Sequence, residues 1–174
     1  QYVGNWPGVT VEKKEGKVKG KSDLIVTDLP GIYSLSPYTN EEVVSRDYLA
    51  SGEPAAVIDI VDSTNIERNL YLTTQIMELG KPVVMALNMV DALKKSGDKI
   101  DAAKLSEKLG CPVIETVALH GKGVKEIIAA AQKAASEKTK PAAIRFSSDV
   151  EKAIGAVEEI LPSEIEESTR RWTA

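Results

Sequence analysis

The sequence predicts an α/β fold: a mostly parallel sheet held between helices in three layers, followed by the start of a helical segment. Three observations predict it. Short apolar runs rich in Val and Ile occur at residues 55–61 (AAVIDIV), 82–87 (PVVMAL) and 111–117 (CPVIETV), as in buried parallel strands. Segments of helical length separate them, and strands joined through helices form parallel sheets covered on both faces. The composition is that of a soluble α/β chain, with 43% hydrophobic, 28% charged and 5% aromatic residues among 174.

The same counts exclude several function classes. One cysteine, Cys111, rules out an intrachain disulfide framework, and with one histidine, His120, a Cys/His zinc site cannot be assembled. A net charge of −4 gives no electrostatic reason to bind nucleic acid or an anionic membrane surface. No apolar run of about eighteen residues is present to span a bilayer.

Along the chain, residues 8–12 (GVTVE) alternate as a strand and lead into a charged turn at 13–16. Residues 23–28 (DLIVTD) form a second strand, and the two are expected to pair as a hairpin. Helices are expected at 41–50, 65–79, 101–109 and 124–137. The second places Ile66, Leu70, Ile76 and Leu79 near helical spacing and is ended by Gly80 and Pro82. Residues 138–141 (KTKP) read as a linker, giving one domain at 1–139 and the start of a helical one at 140–174. There Ser148 is the expected N-cap of a helix over 149–161, stopped by Pro162.

Ligands of parallel sheets sit at the carboxyl ends of strands, so the loops there are the places to look for chemistry. Asp28-Leu-Pro-Gly31 follows the strand LIVT. A carboxylate at a strand end can hold Mg²⁺ through water, and a glycine three residues on lets a backbone N–H approach a phosphate. Taken alone, the string reads better as a strand-to-turn junction, with Pro30-Gly31 making the turn. Asn88-Met89-Val-Asp91 follows PVVMAL, and a carboxylate there can accept from the N1–H and N2–H₂ of guanine, a pairing adenine cannot supply. The competing reading makes Asp91 the N-cap of a short helix. Val117-Ala118-Leu119-His120-Gly follows CPVIETV, where a backbone N–H can meet a guanine carbonyl; His120 is a solvated loop residue. Residues 3–12 (VGNWPGVTVE) form a glycine- and proline-interrupted loop in which Thr10 can complete a magnesium shell. Read alone, Trp6-Pro-Gly is a β-turn with an anchoring tryptophan.

The order of these loops is that of a GTPase. The strings GNWPGVTVE, DLPGIYSLSPYTNEEVVSRDYL, DSTNIERNLYLTTQ and ALNMVD resemble the cytosolic G domain of the ferrous iron transport protein B (FeoB) family. The resemblance covers essentially the whole chain, with residues 141–174 matching the start of that family's helical domain. It implies a P-loop GTPase-like sandwich. It also departs from one in a single respect. No Gly-x₄-Gly-Lys-Ser/Thr loop is present, and the nearest string, Gly16-Lys-Val-Lys-Gly-Lys-Ser22, has three residues between its glycines and no helix after it. It reads as a solvated basic turn. Because position 1 is Gln, the expectation is that a phosphate-loop segment precedes it in a longer molecule, with the lost strand central in the sheet. An intact mass of 18.8 kDa would contradict that expectation.

The resemblance implies GTP and GDP as ligands, with Mg²⁺ held by Thr10 and by Asp28 through water. It places Thr10 and Gly31 at the reacting end, with the Gly31 amide on the γ-phosphate. Asn88, Met89, Asp91, Val117, Ala118 and Leu119 hold the base, and K⁺ is bound partly by carbonyls around Gly4 and Trp6. Ile32 stands where Ras-like enzymes carry a water-orienting Gln, so intrinsic hydrolysis is expected to be slow. The implied partner is the transporter's own transmembrane domain on the cytoplasmic face of the bacterial inner membrane; a homo-oligomer is admitted and nucleic acid is not. Two alternatives stay open: a related GTPase of ribosome or tRNA maturation, and a G-like module without turnover.

Overall fold

The structure, a computed structural model, describes residues 2–36, 38–142, 144–165 and 169–174, and at position 22 the backbone alone. Gln1, Pro37 of the DLPGIYSLSPY string, and residues 143 and 166–168 of the expected appendage lie outside them.

Among the described residues, six strands form two three-stranded sheets. In the first, β1 (Tyr2–Asn5), β2 (Glu12–Val18) and β3 (Lys21–Asp28) run antiparallel in that order. This corrects the hairpin expected from the sequence. The strand begins at Glu12 and not Gly8, and Gly16, placed in a turn, pairs with Val26. Charge concealed it: EKKEGKV lacks apolar alternation, yet β2 has a partner on each side. Lys13 also pairs with Glu15 and Lys14 with Glu12, both at 2.8 Å, across residues that share a face. The turn falls at Gly20, whose φ of +82° suits glycine, and a strand follows it, as expected of the basic string.

The second sheet is parallel, with β4 (Val57–Asp62), β5 (Val83–Asn88) and β6 (Val113–Glu115) in sequence order. Residues 83–87 of the central strand are all buried, the mark of a strand covered on both faces. The expected strand at 111–117 shrinks to three residues, because the chain after Thr116 turns back on itself. Val57, Asp59 and Val61 face inward on β4, while Ile60 is 68% exposed; Ile25 and Val26 on β3 are exposed as well. Among the described residues no ladder joins β3 to β4.

The expected helices appear as α1 (Asn40–Ala50), α2 (Ile66–Glu78), α4 (Ala102–Leu109), α5 (Val124–Glu137) and α6 (Ser148–Ile160). Two short ones join them: α3 (Val90–Ser96), the short helix of the competing reading at Asp91, and α7 (Arg170–Thr173), which was not expected. Thr39 caps α1 in a reciprocal box: its hydroxyl accepts from the Glu42 amide at 3.2 Å, and the Glu42 carboxylate accepts from the Thr39 amide at 3.1 Å. The α6 cap is Ser147, one residue before the expected Ser148.

One core cluster gathers Leu35, Leu49, Val57, Ile76, Leu79, Val83 and Cys111, with Leu29, Ile32, Leu72 and Trp172 packed against it. The other gathers Val61, Met85, Leu87, Val90 and Val117 at the carboxyl ends of the parallel strands. Trp172 therefore brings the C-terminal segment onto the first cluster. Arg171 ties α7 to α6 by bonds of 2.8 and 3.0 Å to Glu151, and its hydrogen bonds, with the Phe146 amide, hold that carboxyl at about 2. No helix among the described residues is long and apolar enough to cross a membrane.

Candidate functional site

Parallel pairing brings three loop starts to one edge. Asp62 at the end of β4 lies opposite Asn88 at the end of β5, and the Thr116 amide donates to the Leu87 carbonyl at 2.8 Å. Asn88 thus stands beside the chain leaving β6. Its side-chain oxygen accepts from the Thr116 hydroxyl at 3.2 Å and from the Ala118 amide at 3.0 Å. One side chain thereby fastens one strand-end loop to the next.

The next residue, Met89, has φ +62° and ψ 26°, a left-handed conformation costly for any side chain with a Cβ. The helix it begins offsets that cost, since the Met89 carbonyl accepts from the amides of Ala92 and Leu93 at 3.0 and 3.1 Å. Met89 is thus the N-cap, and Asp91 is not. Asp91 lies exposed in the first turn of α3, where the helix field favours a carboxylate. Among the described residues its carboxylate has no ion-pair or hydrogen-bond partner.

The loop after β6 is tightly closed. The Val117 amide donates to the Lys122 carbonyl at 3.1 Å, the Lys122 amide returns the bond at 3.2 Å, and the His120 amide donates to Val117 at 2.9 Å. Gly123 completes it with φ +83°; a Cβ there would lie 2.5 Å from the Glu115 carbonyl oxygen and 2.7 Å from Thr116 Cγ2. The Ala118 amide, expected to face a ligand, points inward to Asn88. Leu119 follows in a 3₁₀ turn, Ala118–His120, whose first N–H groups have no partner within the turn. Leu119 is 89% exposed and Met89 43%, so two apolar side chains stand one residue beyond the bonded pair.

The other predicted residues lie on the antiparallel sheet. Asp28 ends β3 opposite Lys14. Gly31 is exposed, and a Cβ there would meet no atom within 4 Å, so its backbone is open to a ligand. Ile32 packs against the first core cluster. Gly4 sits in the β1 ladder opposite Lys13. Trp6 is buried, edge-on to Tyr48 at 4.9 Å and with the Lys13 ammonium 4.8 Å from its ring centre, and its carbonyl accepts from the Val9 amide at 3.3 Å. Thr10 is exposed in the connection between β1 and β2, two residues before β2 begins. The structure therefore brings Asn88, Met89 and Asp91 together with Val117, Ala118 and Leu119, and places Thr10 in the β1–β2 connection and Asp28 at the end of β3.

Three participants escaped the sequence reading. Thr116 is one, although its place after an apolar strand could have marked it. The others are Gln75, whose side-chain oxygen accepts from the Leu35 amide at 2.8 Å, and Arg68, whose guanidinium carbon lies 3.8 Å from the Tyr33 ring centre. Two clefts of 360 and 460 Å³ flank α3, lined in common by Leu93, Asp98, Lys99 and Ile100; neither includes Asn88, Asp91 or Ala118.

Residues 1–131 match the family described as ferrous iron transport protein B. The chain belongs to that family. It is 42% identical over 170 residues to the Fe(2+) transport protein A/Fe(2+) transporter FeoB fusion protein of Porphyromonas gingivalis, covering 95% of this chain and 20% of that protein. To the Fe(2+) transporter FeoB of Escherichia coli it is 38% identical over 178 residues, covering 99% and 23%. This FeoB-family chain thus spans 20–23% of the length of these transporters. Among solved structures it is similar to a GDP-bound point mutant of the S. thermophilus FeoB G-domain, with a TM-score of 0.92 and 47% identity over 98% of this chain and 66% of that one. The mGMPPNP-bound S. thermophilus NFeoB matches with a TM-score of 0.86 and 47% identity, covering 99% and 65%. The α/β fold expected from the sequence is therefore the fold of the FeoB G domain.

Proposed function

We propose that this chain is the guanine-nucleotide-binding and hydrolysing part of a bacterial ferrous iron transporter, acting on the cytoplasmic face of the membrane with the transporter's own transmembrane domain as partner. The observation that carries the reading is the edge where Asn88 is bonded to Thr116 and Ala118 while Asp91 stays free on the first turn of α3. Asp91 would accept from the two N–H groups on one edge of guanine, a pairing that adenine lacks. Met89 and Leu119 would cover the faces of the base, and the Leu119 N–H, beside the Ala118 amide that Asn88 holds, would meet its carbonyl oxygen. GDP- and GMPPNP-bound relatives support a guanine nucleotide.

Asp28 suits Mg²⁺ held through water, and Gly31 suits a γ-phosphate contact, since the residue is exposed and no atom lies within 4 Å of where a Cβ would stand. Thr10, exposed in the β1–β2 connection, offers a hydroxyl to the same ion. Freeing the carbonyls near Gly4 and Trp6 for K⁺ requires the β1–β2 arm to rearrange, since Gly4 sits in its ladder and the Trp6 carbonyl accepts from the Val9 amide. With Ile32 turned into the core, no side chain after Gly31 orients water, and hydrolysis is slow unless the rearranged arm contributes. A strand from outside the described residues, entering between β3 and β4, would cover Ile25, Val26 and Ile60 and bring a phosphate-binding loop to this edge.

Titrating GDP and ADP against the complete transporter with Mg²⁺ tests the reading. Tight GDP binding with ADP bound at least about a hundredfold more weakly is expected from two lost hydrogen bonds to a charged group. Equal affinities would sink it.

A further inference from the structure

We infer that one stripe of α2, made by Arg68, Leu72 and Gln75, is a positioning surface that sets the conformation of the loop over residues 29–36 and with it the place of the Gly31 amide. This rests on the proposed guanine-nucleotide reading and names the residues that prepare its phosphate end. The three residues lie at i, i+4 and i+7, on one face over about two helical turns, roughly 10 Å. The loop meets that face at three points. Tyr33 lies under the Arg68 guanidinium at 3.8 Å. Leu29, Ile32 and Leu35 join Leu72 in the first core cluster. The Leu35 amide donates to the Gln75 side chain at 2.8 Å.

The loop has little order of its own. Among the described residues its internal hydrogen bonds are the Ser36 amide to the Ser34 hydroxyl at 3.0 Å and the two serine hydroxyls at 2.9 Å, both beyond Tyr33. Gly31, an exposed residue, lies between two inward-facing ones, Leu29 and Ile32, so its backbone goes where they are held. The two polar clasps differ in kind. Leu35 is 3% exposed, and a backbone N–H carried inward with it needs an acceptor, which Gln75 provides. Arg68 and Tyr33 meet at the surface, where a cation–π contact is weak and easily opened. Gln75 thus fixes the register of the loop, and Arg68 sets how often its outer half lifts away.

Gln75→Leu keeps the size of the side chain and removes the acceptor. In the complete transporter, kcat for GTP should fall about tenfold, the scale of one unmet buried N–H, while GDP affinity changes less than about twofold because GDP has no γ-phosphate. Hydrogen exchange of the Leu35 amide should quicken with it. Arg68→Ala should lower kcat about threefold, and Arg68→Lys should restore most of that loss by keeping a cation over the ring. A Gln75→Leu variant with unchanged or raised kcat would overturn the inference, as would a fall in GDP affinity as large as the fall in kcat. If wild-type protein bound no GTP, the function would fail first, and the clasp would stand or fall on the Leu35 exchange rate.

Discussion

The Ala118 backbone amide donates to the side-chain oxygen of Asn88 across 3.0 Å, joining the loops that follow two neighbouring parallel strands. Asn88 therefore has a role before any ligand arrives. It holds the closed loop over residues 117–122 against the end of β5, and among the described residues the Asp91 carboxylate, the proposed recognition group, stays unpaired. A base-reading edge assembled this way is preorganised, so less ordering remains to be done on binding.

Replacing Asn88 by Ala leaves the Thr116 hydroxyl and Ala118 amide without their shared acceptor. The expected cost is about 1–3 kcal/mol, and guanine nucleotide affinity should drop more than tenfold even though Asp91 is untouched. Calorimetric titration with GDP, beside a urea melt of the same variant, separates the two effects.

Gly123→Ala should damage the same edge from the other side. Its backbone is left-handed and the new Cβ would press on the Glu115 carbonyl, so a loss of roughly 2 kcal/mol or more is expected. Gly121→Ala is the comparison, since a Cβ there meets nothing within 4 Å and only the backbone cost of φ +67° remains. A denaturation midpoint lower for Gly123→Ala than for Gly121→Ala is the outcome that supports this account.

Asp59 supplies a pH prediction. Burial raises its carboxyl above the usual 3.8, against the single bond from the Thr73 hydroxyl at 2.6 Å. The folded protein therefore keeps this proton to higher pH than the unfolded chain does. Its contribution to stability is fully present below 3.8 and declines as pH rises through the raised value. Cys111 feels the same carboxylate, and burial, the larger cause, pushes its thiol to about 11. Asp59→Asn, which can still accept from Thr73, should have a higher urea midpoint than wild type at pH 7, with the gap closing toward pH 4. A gap that widens on acidification would contradict the assignment.

Much of this was legible in the sequence. Apolar runs such as PVVMAL gave β5 almost residue for residue, because a strand buried on both faces has a composition little else shares. The NMVD and VAL strings were found by their position after strands, and the structure joins them. β2 was obscured because EKKEGKV draws its stability from two ladders and two ion pairs, none of which a single segment reveals. The inward turn of the Ala118 amide and the grip of Gln75 on Leu35 are contacts across 30 and 40 residues. Local pattern carries no trace of such pairings. Thr10 and Asp28 were matched by motif order, which says what a loop can do and not where it rests.

The most direct test of the central claim is a selectivity swap at Asp91. An Asp91→Asn side chain presents an amide N–H₂ to the base, which suits the C2 carbonyl of xanthine and not the N2–H₂ of guanine. In the complete transporter, wild type should prefer GDP over XDP, and Asp91→Asn should reverse that preference by about a hundredfold or more, as expected when a paired polar group meets the wrong partner. Unchanged GDP preference in a folded Asp91→Asn protein would contradict the claim that this edge reads guanine.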